Sequence, residues 1–176
     1  TAPQGLTVRF TSMDGASKDP EELRVPQVDL WWGDELAPAP PFLAEWEGVL
    51  FIPHYGDYWL VLEGSPEARL LLDGAPVLEG AGDVMLPLAQ GSHALSLTDV
   101  ATSSEGQTRL LWMPPRERLS DIGQGNLYAG VEAHGLLGSY LPPGYPEEAG
   151  AFQRIDPMPF FFFHHRPFQG EFRILW

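Results

Sequence analysis

Residues 42–74, FLAEWEGVLFIPHYGDYWLVLEGSPEARLLLDG, contain a series of short apolar runs, each followed by turn-forming residues. Gly48 separates the first run from the second, and clusters of glycine, proline and serine end the following ones. The last run, 69–72, ends in Asp73-Gly74, the strongest short signal for a β-hairpin. Runs of strand length bounded in this way predict an antiparallel β-sandwich.

The same signals predict further strands on both sides of this stretch. Apolar or alternating runs between turn residues predict strands at 5–10, 25–32, 75–78, 83–88, 93–98 and 107–113. Polar segments and segments rich in glycine or proline predict loops at 11–24, 33–41 and 102–106. No segment has a convincing helical period, and the best candidate for a single helical turn is 115–122. The fold class is therefore predicted to be all-β.

Length and composition fit one such domain and argue against several classes of partner. The 176 residues are 44% hydrophobic, which suffices for a core, while 19 glycines and 18 prolines supply turns. The net charge of −14 repels phosphate backbones and anionic lipids, so neither a nucleic acid nor a membrane surface is expected as partner. Cysteine is absent, which excludes disulfides and thiolate chemistry.

The sequence pattern starts a second time near residue 135. The segment 135–140, GLLGSY, resembles the segment 5–10, GLTVRF, at an offset of 130 residues (135 − 5). At the same offset Phe42 aligns with Phe172 without a gap, so the loops between the strands have equal lengths. We interpret this as an internal repeat. The predicted organisation is a sandwich at 1–115, a connector at 116–134 and an incomplete second copy at 135–176.

The second copy has only two or three predicted strands, and a partial sheet of this size is marginal on its own. We expect it to pack on the first sandwich, to exchange strands with another protomer in a homo-oligomer, or to be completed by chain beyond Trp176. The chain starts at Thr1 without a methionine, and we expect it to be part of a longer protein. No run reaches the roughly 18 apolar residues of a spanning helix, so membrane insertion of this segment is not expected.

Trp31 and Trp32 are the candidate ligand-binding aromatic pair. Neighbouring residues of a strand point to opposite faces, so one ring is predicted to face the core and the other to face outward. The apolar face of a sugar ring can stack on an aromatic ring, so the outward ring is a candidate sugar platform unless the loop 33–41 covers it. Asp34 and Glu67, in predicted loops, are added to the candidate site; the alternative is that they belong to a solvated acidic surface.

The other tryptophans of the strand runs are predicted to be core residues. Trp46, Trp59 and Trp112 each lie within an apolar run, where a large aromatic side chain usually packs inside. None of the three is therefore included in the candidate site.

No catalytic or metal site is predicted. His164 and His165 are adjacent in sequence, and neighbours in a strand point to opposite faces, so they do not converge on a metal ion. His54 and His93 have no serine or aspartate partner that spacing connects to them. The sequence contains no phosphate loop, nucleophile elbow or zinc motif, and no cofactor is predicted.

A series of motifs runs through the first copy: FLAEWEG at 42–48, GDY at 56–58, ARLLLDG at 68–74 and TRLLWMPP at 108–115. This series resembles the W-x-G, G-x-Y, R-L-x-I-D-G and L-x-W-x-P-P motifs of the PA-fourteen family, the β-sandwich named after anthrax protective antigen. The resemblance spans roughly residues 5–115. It implies a jelly-roll sandwich, and its members are mostly carbohydrate-binding modules, so it also implies a glycan as partner.

The resemblance departs from the family at one functional position. Sugar-binding members often hold calcium with two consecutive aspartates just before the R-L-x-I-D-G strand. Counting back from Arg69, those positions are Ser65 and Pro66, which cannot supply two charged oxygen ligands. The family's calcium-dependent sugar site is therefore expected to be absent.

Two segments of the second copy suggest a parent protein. Arg154–Pro157 and the run FFFH at 161–164 resemble the soluble ends of bacterial membrane glycosyltransferases of the dolichyl-phosphate-mannose protein mannosyltransferase type. The resemblance implies a module on the cell surface or the outer face of a membrane, attached to such an enzyme.

These features predict a non-catalytic, extracytoplasmic accessory module that binds a glycan or positions a membrane-bound glycosyltransferase. The alternative is a structural or protein-interaction β-sandwich without a sugar site, which Ser65-Pro66 favours. An enzyme fragment ranks last, because no acid–base pair or nucleophile constellation is visible among the 24 acidic residues.

Overall fold

The computed structural model describes residues 3–15, 21–129, 136–141, 152–156 and 173–175. Antiparallel strands make up most of this part, and it contains no helix apart from a 3-10 turn at Gln124–Asn126. The strands are β1 (Leu6–Ser12), β2 (Glu21–Val25), β3 (Asp29–Trp31), β4 (Phe42–Ile52), β5 (Gly56–Glu63), β6 (Arg69–Leu72), β7 (Ala75–Glu79), β8 (Gly82–Leu88), β9 (Gly91–Ala101), β10 (Gln107–Met113), β11 (Ser120–Asp121), β12 (Leu127–Tyr128), β13 (Leu136–Leu141), β14 (Phe152–Asp156) and β15 (Arg173–Leu175).

The strands form three sheets. Sheet A has the order β2-β1-β4-β9-β6-β7, with β12 also paired to β4. Sheet B has the order β11-β10-β5-β8, with β3 also paired to β10, and sheet C has the order β14-β13-β15. The apolar inner faces of sheets A and B enclose one core, so the predicted all-β antiparallel sandwich is confirmed. Within the described segments, no helix is long and apolar enough to cross a membrane.

The core follows from strict alternation along the strands, since every second residue of a strand faces the same side. In β4 the buried positions are every second residue from Phe42 to Trp46 and again Leu50 and Ile52. Phe10 packs edge-on against Phe42 with ring centroids 5.7 Å apart. Trp46 and Trp112 are buried as predicted.

The hairpin predicted at Asp73-Gly74 is confirmed. It joins β6 to β7, and both turn residues have positive φ, 52° for Asp73 and 78° for Gly74. Two consecutive residues of positive φ define the turn whose twist suits a two-residue hairpin, which is why this dipeptide favours it.

Two strand predictions were wrong. Of the strand predicted at 25–32, only Asp29–Trp31 forms one, β3 in sheet B. The loop predicted at 11–24 contains most of β2, which ends at Val25 and pairs with β1 in sheet A. Pro26 has no N–H to continue a strand ladder, which accounts for the end of β2. Gly48 does not end a strand: β4 runs through it for 11 residues, paired with β9 along its whole length.

The segment predicted as a connector, 116–134, takes part in the sandwich where the structure describes it. β11 pairs with β10 and β12 pairs with β4, and Ile122 and Leu127 belong to the core. The candidate helical segment 115–122 forms no helix: the Glu117 amide donates a 3.0 Å hydrogen bond to the Pro114 carbonyl in a single turn, and β11 follows.

The strand order of sheet C matches part of the strand order of sheet A. The order β14-β13-β15 corresponds to β2-β1-β4. Thr11 pairs with Leu43, and 130 residues later Leu141 pairs with Arg173 (141 − 11 and 173 − 43). The β13–β14 register is shifted by one residue relative to β1–β2. β14 contacts β9 of the sandwich.

Tyr58 makes the stability of the sandwich sensitive to alkaline pH. Its ring is buried, its hydroxyl donates a 2.9 Å hydrogen bond to the carbonyl of His54, and burial raises its pKa above the ordinary value of 10.0. A tyrosine whose pKa is raised on folding stabilises the protein below the unfolded-state pKa, and this contribution is lost as pH rises beyond it.

We therefore expect the free energy of unfolding to fall above about pH 10 and to fall less steeply in Tyr58→Phe. At pH 7 the variant should be less stable by about 1 kcal/mol, since it loses one hydrogen bond. Urea unfolding of both proteins between pH 7 and 11 measures this. Parallel pH dependences would contradict it.

Candidate functional site

Several connections of the sandwich meet at one end, which we call the loop end. β9 ends at Ala101, opposite the start of β4 at Phe42, and the segment 102–106 leads to β10. β3 ends and β10 begins at the paired residues Trp31 and Gln107. The connections β3–β4, β5–β6 and β9–β10 are therefore neighbours, and the candidate residues Trp31, Trp32, Asp34 and Glu67 all lie there.

Trp31 and Trp32 face opposite ways, as predicted. Trp31 is 54% exposed and Trp32 is 8% exposed. The indole Nε1 of Trp32 donates a 2.9 Å hydrogen bond to Thr108 Oγ1, and its ring packs over Gly106, where a Cβ would come within 2.4 Å of the ring. The loop 33–41 leaves the ring of Trp31 accessible.

A buried carboxylate lies beneath the loop end. Asp99, on the inner face of β9, is 1% exposed. Its Oδ1 accepts hydrogen bonds from Ser65 Oγ at 2.6 Å and from the Val100 amide at 2.8 Å, and its Oδ2 accepts from Thr108 Oγ1 at 2.7 Å. The Ser65 amide donates to the same carboxylate at 3.2 Å. Such full pairing offsets the cost of burying a charge.

This carboxylate connects the walls of the loop end. Thr108, which donates to Asp99, accepts a hydrogen bond from Trp32 Nε1. On the other side of the carboxylate, Ser65 Oγ accepts a 3.1 Å hydrogen bond from the amide of Glu67. Gly64 lies so close that a Cβ there would be 2.6 Å from Asp99 Oδ2. The alternation of β9, which places Asp99 on the inner face, is the one local signal that points to this network.

Asp34 and Glu67 occupy two different connections. Asp34 Oδ1 accepts a hydrogen bond of 3.2 Å from the Leu36 amide, and the Asp34 amide donates one of 3.0 Å to the Trp31 carbonyl. This turn fixes the chain directly after Trp31. Glu67 is exposed in the turn that follows β5. The two carboxylates share the loop end with Trp31 but do not belong to one turn.

Ser65 stands where the resemblance would place a calcium-binding aspartate, and the structure gives it a different role. Its hydroxyl donates to the buried Asp99 rather than facing the loop surface. Among the residues that the structure describes, no group of three histidine, aspartate or glutamate side chains converges as a metal site would require.

Sequence reasoning missed the polar pairs on the outer face of sheet B. Gln107 Nε2 donates a 2.7 Å hydrogen bond to Glu63 Oε2, next to Trp31. Arg109 makes two 2.9 Å hydrogen bonds to Asp121, and these raise the pKa of its guanidinium. Alternation along β5 and β10 could have placed these side chains on one outward face.

The prediction that Trp59 is a core residue was wrong. Tyr58 and Leu60 are fully buried, so alternation turns Trp59 to the outer face of sheet B. Its indole Nε1 donates a 2.8 Å hydrogen bond to Asp83 Oδ2. An apolar run alone does not tell which of its members face inward.

His93 has the acidic partner that spacing did not indicate. It is fully buried, with Nδ1 2.7 Å from Asp73 Oδ2 and Nε2 2.8 Å from the carbonyl of Ala89. These contacts tie the β6–β7 hairpin to the chain before β9, which is a structural role. His164 and His165 lie outside the described residues.

Comparison with solved structures supports the fold. An anti-sigma factor domain-containing protein aligns with a TM-score of 0.64 and 19% identity, over 87% of this chain and 58% of that one. The PA14 sugar-binding domain from an RTX adhesin aligns with a TM-score of 0.52 and 12% identity, over 73% of this chain and 100% of that one. The PA14 domain of the MpAFP antifreeze protein aligns with a TM-score of 0.57 and 8% identity, over 74% of this chain and 94% of that one.

The TM-scores show a shared fold, which is that of the PA-fourteen domains that the motifs resemble. This chain spans 58% of the anti-sigma factor domain-containing protein. No family model matches the sequence, and no curated protein matches it.

Proposed function

We propose that this chain is a glycan-binding module without catalytic activity of its own, with Trp31 as its sugar platform. The observation that carries the proposal is the exposed ring of Trp31 beside the hydrogen-bonded pair Gln107–Glu63 at the loop end. An exposed aromatic ring next to fixed polar groups can stack on a sugar and hydrogen-bond its hydroxyls. Asp34 and Glu67 supply further acceptors at the same end.

Two further features support this function. One of the structures with this fold is the PA14 sugar-binding domain from an RTX adhesin. The turn at Asp34 and the hydrogen bond of Trp32 to Thr108 fix the chain after Trp31, and the pairing of β3 with β10 fixes it before, so little ordering is needed when a ligand binds. Trp32 supports this site from within the core and does not touch the ligand.

The binding should not require calcium, because Ser65 and Pro66 replace the two aspartates of the calcium-dependent members and the Ser65 hydroxyl is bound to Asp99. On a glycan array, we expect signals that persist in EDTA and fall at least tenfold in Trp31→Ala. Met13→Ala is the matched control: Met13 is also 54% exposed but follows β1 in the other sheet. Silence on all glycans, or loss of binding in EDTA, would contradict the proposal.

We also propose that the module works outside the cytoplasm as part of a larger protein, where it positions a membrane-bound glycosyltransferase. The motif resemblance of 154–157 and 161–164 supports this; 157 and 161–164 lie outside the described residues. Detection of the intact protein on unpermeabilised cells would test the location. The second candidate function, a protein-interaction sandwich, is favoured by the apolar strip around Trp59 on the outer face of sheet B.

We further propose that sheet C begins a second copy of the sandwich, docked on the first. The matching strand order and the matching β1–β4 and β13–β15 registers support this, and so does the contact of β14 with β9. The alternative is exchange of these strands between protomers. Sedimentation equilibrium separates the two, because docking within one chain gives a monomer and exchange gives a homo-oligomer.

A further inference from the structure

The outer face of sheet B has a second aromatic position, the half-buried Trp59. Trp59 is paired with Met113 on one side and Met85 on the other, so the three side chains form a row across three strands. Met85 is 58% exposed. The hydrogen bond from the indole to Asp83 fixes the edge of the ring, which leaves an apolar surface of constant orientation.

Trp31 and Trp59 lie on the same face and far apart. Trp31 is paired with Gln107 and Trp59 with Met113, six positions apart on β10. At about 3.3 Å per residue along a strand and about 4.8 Å between neighbouring strands, the two positions are about 22 Å apart. A single sugar ring can therefore contact only one of them.

Apolar and polar side chains share the space between the two tryptophans. Val61 and Leu111 are paired with each other and also face outward. Glu63 and Gln107 are joined to each other, and Arg109 is joined to Asp121 by two hydrogen bonds. These groups are fixed by their partners yet only partly buried, so their remaining donors and acceptors can reach the hydroxyls of a ligand.

We propose that the outer face of sheet B binds one extended, neutral oligosaccharide chain that stacks on Trp31 at one end and on Trp59 at the other. This inference rests on the proposed glycan binding and names its ligand class. The ligand is neutral because carboxylates dominate the face, at Asp29, Asp57, Glu63, Asp83 and Asp121, while Arg109 is already paired with Asp121. Anionic glycans are repelled by such a face.

The charge also argues against a second copy of this chain as occupant. Two such faces would bring like charges together on chains that each carry −14. The apolar residues around Trp59 are bordered by the carboxylates of Asp57, Asp83 and Asp121, which a second copy would have to bury. A chain of hydroxyl-bearing rings fits the alternation of apolar and polar groups better.

The test uses the whole chain and linear neutral glucan, mannan and galactan oligosaccharides of two and six residues in isothermal titration calorimetry. We expect at least one hexasaccharide to bind about tenfold more tightly than its disaccharide. Trp59→Ala should remove this advantage and leave disaccharide binding unchanged, whereas Trp59→Phe should keep most of it. Trp31→Ala should weaken both lengths, and Met13→Ala should change neither.

The outcomes separate this inference from the function on which it rests. If Trp31→Ala abolishes binding but Trp59→Ala leaves the hexasaccharide affinity unchanged, the loop end binds glycans and the two-tryptophan track is wrong. If no oligosaccharide binds and the glycan array is silent, both fail. If the wild-type chain dimerises on sedimentation and Trp59→Ala does not, a second copy occupies the face, which overturns the inference.

Discussion

Replacing Asp99 with alanine is expected to lower the free energy of unfolding by about 3 kcal/mol or more. The substitution leaves the Ser65 amide, the Ser65 hydroxyl and the Thr108 hydroxyl without their acceptor in a buried site. Each buried donor that loses its partner costs about 1–3 kcal/mol, and a small cavity adds to this. Urea unfolding followed by tryptophan fluorescence measures the effect.

Two variants sharpen this test. Asp57→Ala removes an exposed carboxylate from a strand of the same sandwich and should change stability by no more than about 0.5 kcal/mol. Asp99→Asn keeps the shape and one acceptor oxygen but turns an NH2 group toward other donors, so it should lie between wild type and Asp99→Ala. Equal stability of Asp99→Ala and Asp57→Ala would show that the network is dispensable.

The same network connects stability to the candidate site. Asp99 reaches Trp32 through Thr108 and reaches Glu67 through Ser65, so it holds two connections of the loop end in place. Loss of the carboxylate should therefore loosen both of these connections beside the platform. A binding site held by a buried hydrogen-bond network depends on residues that never contact the ligand.

Much of the sandwich could be predicted because its strands are amphipathic and its turns carry diagnostic residues. The hairpin at Asp73-Gly74 needs only local backbone preference, and most apolar runs became strands at nearly the predicted residues. The positions of β2 and β3 could not be predicted from such local signals. Which sheet a strand joins depends on long-range pairing, and β2, with the sequence EELRV, lies mostly in a polar segment whose composition predicts a loop.

The candidate site was predicted in part. The exposed side of the Trp31-Trp32 pair follows from alternation once one of the two is known to be buried. The prediction that Trp59 is a core residue considered only that its run is apolar. It did not consider which alternate residues of β5 face inward, and those are Tyr58 and Leu60. The Asp99 network joins residues up to 76 positions apart, and no local pattern indicates such a partner.

Gly48→Ala is the second substitution with a large expected effect, a loss of about 3 kcal/mol of unfolding free energy. At Gly48 the partner of β4 changes from β1 to β12, and the two strands crowd the glycine. A Cβ there would lie 2.5 Å from the carbonyl oxygen of Tyr128 and 2.5 Å from Leu6 Cδ2. The leucine side chain can move, but the carbonyl belongs to the backbone of β12 and can shift only if that strand leaves β4.

Gly82→Ala is the matched control, because Gly82 is also in a strand, has no positive φ and would place its Cβ within 4 Å of nothing. It should change stability by no more than about 0.5 kcal/mol, whereas Gly48→Ala should lower the midpoint of urea unfolding clearly. Hydrogen exchange adds a local readout: the amides of β12 should lose protection in Gly48→Ala before those of β9 do. Equal midpoints for the two alanine variants would mean that β12 yields without cost, and that 120–129 is a loosely attached connector rather than part of the sandwich.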